Sequence, residues 1–125
     1  MLHKHSGYGQ LHYDLMIRNG QQLTTWQLME DPRHCPLGQA LGARLIQPHR
    51  LAYLDYQGPV SGHRGQVEII DRGACQWQPG GLDGPLELVM DGPGLAGRWQ
   101  LEPVGEDVWQ IQRLGRDWQA HWTGC

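Results

Sequence analysis

Leu11-His12-Tyr13-Asp14-Leu15, with His5 ahead of it and His49 and Tyr53 further along, sets imidazoles and a carboxylate at a spacing that suits a metal ion. In an extended strand alternate side chains share a face, so His12 and Asp14 point one way while Leu11, Tyr13 and Leu15 point the other. His5 completes a triad by folding back from the glycine-containing loop that precedes the strand. Two histidines and one carboxylate, with no thiolate, suit manganese, iron or zinc and leave coordination positions open for water or a substrate oxygen. Open positions point to catalysis; the plainer alternative is that His12 and Asp14 hydrogen-bond inside a small barrel.

The elements that must position these groups are short strands. Residues 11 to 18 and 22 to 28 alternate in polarity around Asn19-Gly20, a strong hairpin signal. A two-residue turn there sets Thr25 opposite Asp14 and Gln27 opposite His12, as polar neighbours able to orient the ligands. Residues 30 to 43, with Pro32, Pro36, Gly38 and Gly42, read as a loop with one helical turn. Strands follow at 44–48, 51–57, 66–71, 74–77, 85–90, 97–103 and 107–113. With 18 glycines, 8 prolines, 6 tryptophans and no phenylalanine, long helices have little room. The expected fold is mainly β, a small closed antiparallel barrel with short helical turns, as one domain over residues 1–125. Trp26, Trp99 and Trp109 read as core; Trp118 and Trp122, four apart, read as one face of a short final helix.

The string His12-Tyr13-Asp14, the Asn19-Gly20 turn, Trp26, the run His49-Arg50-Leu51-Ala52-Tyr53-Leu54-Asp55-Tyr56-Gln57-Gly58 and Asp71-Arg72-Gly73 resemble, in order and spacing, the 3′-phosphoesterase domain of bacterial DNA ligase D. Leu86-Glu87-Leu88, Gly92, Leu95 to Leu101 and Trp109-Gln110-Ile111 extend the resemblance over nearly the whole chain. It implies a manganese-dependent hydrolase that removes a 3′-terminal phosphate or 3′ ribonucleotide from DNA ends, with zinc or another transition metal as the alternative ion. By position it implies His5, His12 and Asp14 as metal ligands and His49 and Tyr53 beside the scissile phosphate. Its implied partners are 3′ ends of DNA or of RNA-DNA primer-templates, together with a ligase or polymerase of end repair.

The departures matter as much. Where the family carries a phosphate-binding arginine this chain has Met16; a usual lysine aligns with Glu30 and a usual glutamine with His3. The aromatic residue of the family's Gly-x-Tyr-Gly loop is Arg64, the loop between His5 and His12 is one residue longer, and the family's polar N-terminal arm does not precede His5. Arg18 shares a strand face with Met16, about 7 Å further along at ~3.3 Å per residue, and is one candidate replacement for the phosphate contact. Arg64, on its glycine-flanked loop, is another, and His63 lies in the same loop. His34 and His121 read as solvent-facing residues.

A net charge of -3 argues against a broad basic surface, so contact with nucleic acid is expected only at the end being processed. Cys35, Cys75 and Cys125 are widely spaced and give no disulfide framework or zinc ribbon. No run of eighteen apolar residues or charged-then-apolar leader occurs, so a cytoplasmic, membrane-free protein is expected. Two alternatives remain open: a metal- and end-binding module that has lost catalysis, favoured by Met16 and Glu30, and an esterase for a small phosphorylated molecule.

Overall fold

A computed structural model describes residues 1–77 and 84–116; the expected C-terminal helix with Trp118 and Trp122, together with His121 and Cys125, lies outside the described residues. The strands are β1 (Leu2–Ser6), β2 (His12–Asn19), β3 (Gln22–Leu28), β4 (Ala40–Arg50), β5 (Gly58–Pro59), β6 (Gln66–Asp71), β7 (Cys75–Trp77), β8 (Leu86–Met90), β9 (Gly97–Pro103) and β10 (Val108–Gly115). Two short 3-10 helices, Pro32–His34 and Leu51–Asp55, interrupt them. All strand pairs are antiparallel, in the order β5-β6-β1-β2-β3-β4-β10-β9-β8-β7.

The sheet is not closed, contrary to the expected barrel. The edge strands β5 and β7 are two and three residues long, and Pro59 has no N–H to offer a neighbour, so no ladder joins the two edges among the described residues. Side chains bridge part of the gap. The Asp71 carboxylate at the end of β6 accepts the Gly94 N–H at 2.9 Å, and Arg33 donates to the Ile70 carbonyl at 3.2 Å.

One face of the sheet carries the main core. Leu2, Leu15, Ile17, Trp26, Leu28, Leu88, Trp99, Leu101, Trp109 and Ile111 are buried there. Trp26 and Trp109 meet edge to face with centroids 5.5 Å apart, an arrangement worth ~0.5–1.5 kcal/mol beyond the area buried. The opposite face of β1, β2 and β3 is also covered. Met1, Met16 and Leu23 form a second cluster there, packed against Leu51, Tyr53, Leu54 and Ile69. Residues 51–57 were expected to form a strand, and a short apolar run does not distinguish strand from helix by its pattern. Here Leu51–Asp55 coils into the 3-10 helix that roofs this second face.

Two local features set the phase of the strands. The β2–β3 turn is Gly20-Gln21, not Asn19-Gly20: Asn19 pairs with Gln22, and Gly20 takes φ +64 at the position where a type II′ turn needs glycine. Met16 therefore opposes Thr25, and Asp14 opposes Gln27, so every partner lies two residues from the expected register. Between β3 and β4 the register also slips. Thr25 faces Ile46 but Leu23 faces His49, so β4 advances three residues while β3 advances two. The extra residue of this bulge falls in the stretch containing Pro48, and it rotates His49 onto the face occupied by Thr25.

Candidate active site

His5 lies within β1, where it pairs directly with His12, instead of folding back from a loop. Alternation along β1 and β2 then puts His3, His5, His12 and Asp14 on one face. The imidazoles of His5 and His12 are 4.6 Å apart between centroids. One ligand atom each from His5, His12 and Asp14 falls within 4.8 Å of the others, a group positioned to hold a metal ion.

Hydrogen bonds leave one nitrogen free on each of these rings. His12 Nδ1 is 3.1 Å from the Gln10 carbonyl and His5 Nε2 is 2.7 Å from the Arg64 carbonyl. A carbonyl can only accept, so these nitrogens carry the protons, and the neutral rings keep lone pairs on His12 Nε2 and His5 Nδ1. Outer carbonyls commonly orient metal-binding histidines in this way. The carboxylate supplies a third lone pair. Asp14 Oδ1 is buried with no hydrogen-bond partner and stands 3.7 Å from His12 Nε2, beyond hydrogen-bonding distance. Burial pushes the Asp14 carboxyl above its ordinary range, against the pull of His12, His49 and His5. A buried, unpartnered oxygen facing an imidazole lone pair is costly alone and fits a cation between them.

Arg64 reaches His5 through its backbone because the next residue is glycine. Gly65 has φ +78, and a Cβ there would overlap the Ser6 carbonyl oxygen. The β5–β6 loop can thus lie directly on β1.

His49 is held beside this group. Its Nδ1 is 2.9 Å from the Thr25 hydroxyl, its ring meets Tyr53 at 4.9 Å, and burial lowers its pKa while Asp14 raises it. Thr25 was expected beside Asp14; the shifted register and the bulge make it the partner of His49 instead.

The cationic candidates differ. Arg18, exposed at the end of β2, directs its Nε at the Gly20 carbonyl, 3.4 Å away. The Arg64 guanidinium turns away to Ser61, at 2.8 Å from its carbonyl and 3.2 Å from its hydroxyl. His63 is exposed with φ +57 on that loop, and Glu30 is exposed beyond β3. Met16, only 1% exposed, belongs to the apolar cluster under the 3-10 helix.

In the sequence His3 stands out only as the residue at the place of a family glutamine. It is buried, its Nε2 donates to the Tyr56 carbonyl at 3.1 Å, and its pKa is lowered to about 4, chiefly by burial. Its alternation with His5 was the available signal. Nothing in the sequence pointed to the Gln10 and Arg64 carbonyls, which act irrespective of side-chain type.

The family model described as the DNA Ligase D 3′-phosphoesterase domain matches residues 2–102. The multifunctional non-homologous end joining protein LigD of Pseudomonas aeruginosa is 34% identical over 102 residues, which is 73% of this chain and 12% of that protein. The ligand group, the His49–Tyr53 pair and the strands that carry them all lie within the matched segment, and the chain belongs to the DNA ligase D 3′-phosphoesterase domain family.

Proposed function

We propose that this chain is a metal-dependent phosphoesterase that removes a 3′-terminal phosphate, or a 3′ ribonucleotide, from DNA ends during end repair. The observation that carries this reading is the convergence of His5, His12 and Asp14, with the unpartnered Asp14 oxygen, beside His49 and Tyr53. Manganese is the preferred ion, and zinc also suits the donor set. When bound, the ion polarises a phosphoryl oxygen and offsets the charge that develops on it.

The protein groups do the rest. Tyr53, held edge-on by His49, positions the phosphate through its hydroxyl. His49 presents Nε2, and once protonated it donates there to a phosphate oxygen or to the leaving 3′ oxygen. Water adds to phosphorus, the bond from phosphorus to the 3′ oxygen breaks, and that oxygen takes up a proton, giving a 3′ hydroxyl and inorganic phosphate. Arg18 and Arg64 are the proposed phosphate contacts in place of the family's arginine, with His63 beside them, and each arginine must leave its present backbone acceptor to serve. A ligase or polymerase that uses the 3′ hydroxyl is the partner this chemistry calls for, in the cytoplasm. No helix among the described residues is long and apolar enough to cross a membrane.

A second reading, a metal- and end-binding module without turnover, is favoured by the burial of Met16 and by the local hydrogen bonds of both arginines. Incubation with manganese, zinc or magnesium and an oligonucleotide ending in 3′-phosphate, followed by analysis of end chemistry, separates the two. Release of inorganic phosphate that depends on metal and on His49 supports the enzyme; metal-dependent binding without release supports the module. Activity on small phosphate esters without any on oligonucleotides would move the substrate to that class.

A further inference from the structure

A groove of about 360 Å³ opens between the 3-10 helix Leu51–Asp55 and the β5–β6 loop, lined by Arg50, Tyr53, Tyr56, Pro59, Val60 and Ser61. It is continuous with the candidate active site through Tyr53, whose ring stands 4.9 Å from His49 on one side and 6.0 Å from Tyr56 on the other. Its volume is that of a small ligand pocket.

Two residues give the groove its character. Tyr56 is 39% exposed yet held at both ends: its hydroxyl donates to the Pro59 carbonyl, and its own carbonyl accepts from His3 at 3.1 Å. An aromatic ring that is open to solvent and fixed in place loses little freedom when something stacks on it. The Arg50 side chain is exposed and its guanidinium has no hydrogen-bond or ion-pair partner among the described residues, whereas those of Arg33, Arg64 and Arg72 are engaged by Asp31, Ser61 and Asp55 respectively. The groove therefore offers a stacking ring and one free guanidinium, adjacent to the residues proposed to hold a terminal phosphate.

We propose that this groove is a subsite for the unpaired nucleoside that carries the 3′-phosphate, with its base on Tyr56 and its 5′-phosphate on Arg50. This rests on the phosphoesterase reading above. Charge and shape agree with the occupant: a nucleoside between two phosphates presents one flat apolar surface and one anion beyond the reacting group. Stacking on a protein aromatic tolerates every base, so the subsite selects for an unpaired end without selecting sequence. A terminal base must leave its partner to enter, which favours frayed or mismatched ends.

The test uses the whole chain with metal removed by chelation, so that binding is read without turnover. Fluorescence anisotropy compares single-stranded oligonucleotides ending in 3′-phosphate whose last nucleoside carries adenine or is abasic. Wild type should bind the adenine form about tenfold more tightly, and Tyr56→Leu should bind both forms alike. Arg50→Gln should weaken both and reduce the salt slope by about one ion. Each variant is checked by thermal unfolding, and Tyr56→Phe, which keeps the ring, should retain the preference. Equal binding of the two forms by wild type, or an unchanged preference in folded Tyr56→Leu, would overturn the subsite. The two proposals fail separately: a base preference without phosphate release leaves the groove standing and removes the esterase, and release without a base preference does the reverse.

Discussion

Thr25 fixes which nitrogen His49 presents to the site. Its Oγ1 is 2.9 Å from the Leu23 carbonyl oxygen and 2.9 Å from His49 Nδ1, and the hydroxyl has a single proton. The carbonyl takes that proton, so Nδ1 of His49 must donate to the hydroxyl, and the neutral ring keeps its lone pair on Nε2. Thr25→Val should allow the other tautomer, visible in nitrogen NMR of the imidazole, and lower kcat by about tenfold, while Thr25→Ser restores both. An unchanged tautomer and rate in folded Thr25→Val would remove Thr25 from the machinery.

Removing a donor from the ligand group should abolish tight metal binding. Manganese titration of His12→Ala should show a loss greater than the roughly 10- to 100-fold expected from an outer hydrogen-bond partner. In metal-free protein, Asp14→Asn should raise the unfolding midpoint, because it removes a buried charge whose Oδ1 has no partner. Equal metal content in wild type and His12→Ala would dismiss the assignment.

His3 should make the fold sensitive to acid. Its folded pKa is lowered from 6.5 to about 4, so its contribution is fully present above pH 6.5 and is lost as pH falls through about 4. At 1.36 kcal/mol per unit this is at most ~3 kcal/mol. His3→Gln, which keeps a donor for the Tyr56 carbonyl, should flatten that part of the profile in urea unfolding between pH 7 and pH 4. Parallel profiles for the two proteins would show that other groups govern acid stability.

What the family resemblance implies is that Met16→Arg is a gain, since it restores a phosphate-binding cation. The structure reverses that expectation. Met16 is buried with Met1 and Leu23, and a guanidinium there is desolvated among apolar side chains. Met16→Arg should destabilise the protein by ~2–4 kcal/mol, whereas Met16→Leu stays within ~1.5 kcal/mol. A Met16→Arg protein as stable as wild type and faster on 3′-phosphate ends would show that the side chain escapes the cluster.

The grouping of His12 with Asp14 in the candidate site is legible in the sequence because both lie on a strand, where a two-residue period puts them on one face. Strand 66–71 and strand 97–103 were bounded correctly, each being an alternating run between glycines and turns. What was not legible depended on tertiary packing. β1 was missed as a strand, and residues 40–43 joined β4 despite Gly42, because neighbouring strands supply the hydrogen bonds that local propensity does not. The hairpin turn falls one residue later, which displaces every partner by two, because Asn19-Gly20 and Gly20-Gln21 both place a glycine in the turn. Barrel closure was inferred from strand number and spacing, which carry no information about how short the two edge strands are.

The bulge in β4 gives residue count a role that residue identity does not have. Ile46 and His49 are three residues apart opposite two on β3, so at this length a regular β4 would turn His49 toward the tryptophan layer, out of reach of Thr25. Deleting one codon at position 47 or 48 would instead leave Thr25 opposite Ile46 and Leu23 opposite His49 with one residue between them on each strand, and His49 would keep its face without a bulge. A relative one residue shorter here would reach the same arrangement with a regular strand, and the gap in an alignment would mark the bulge and not the loss of a residue pair.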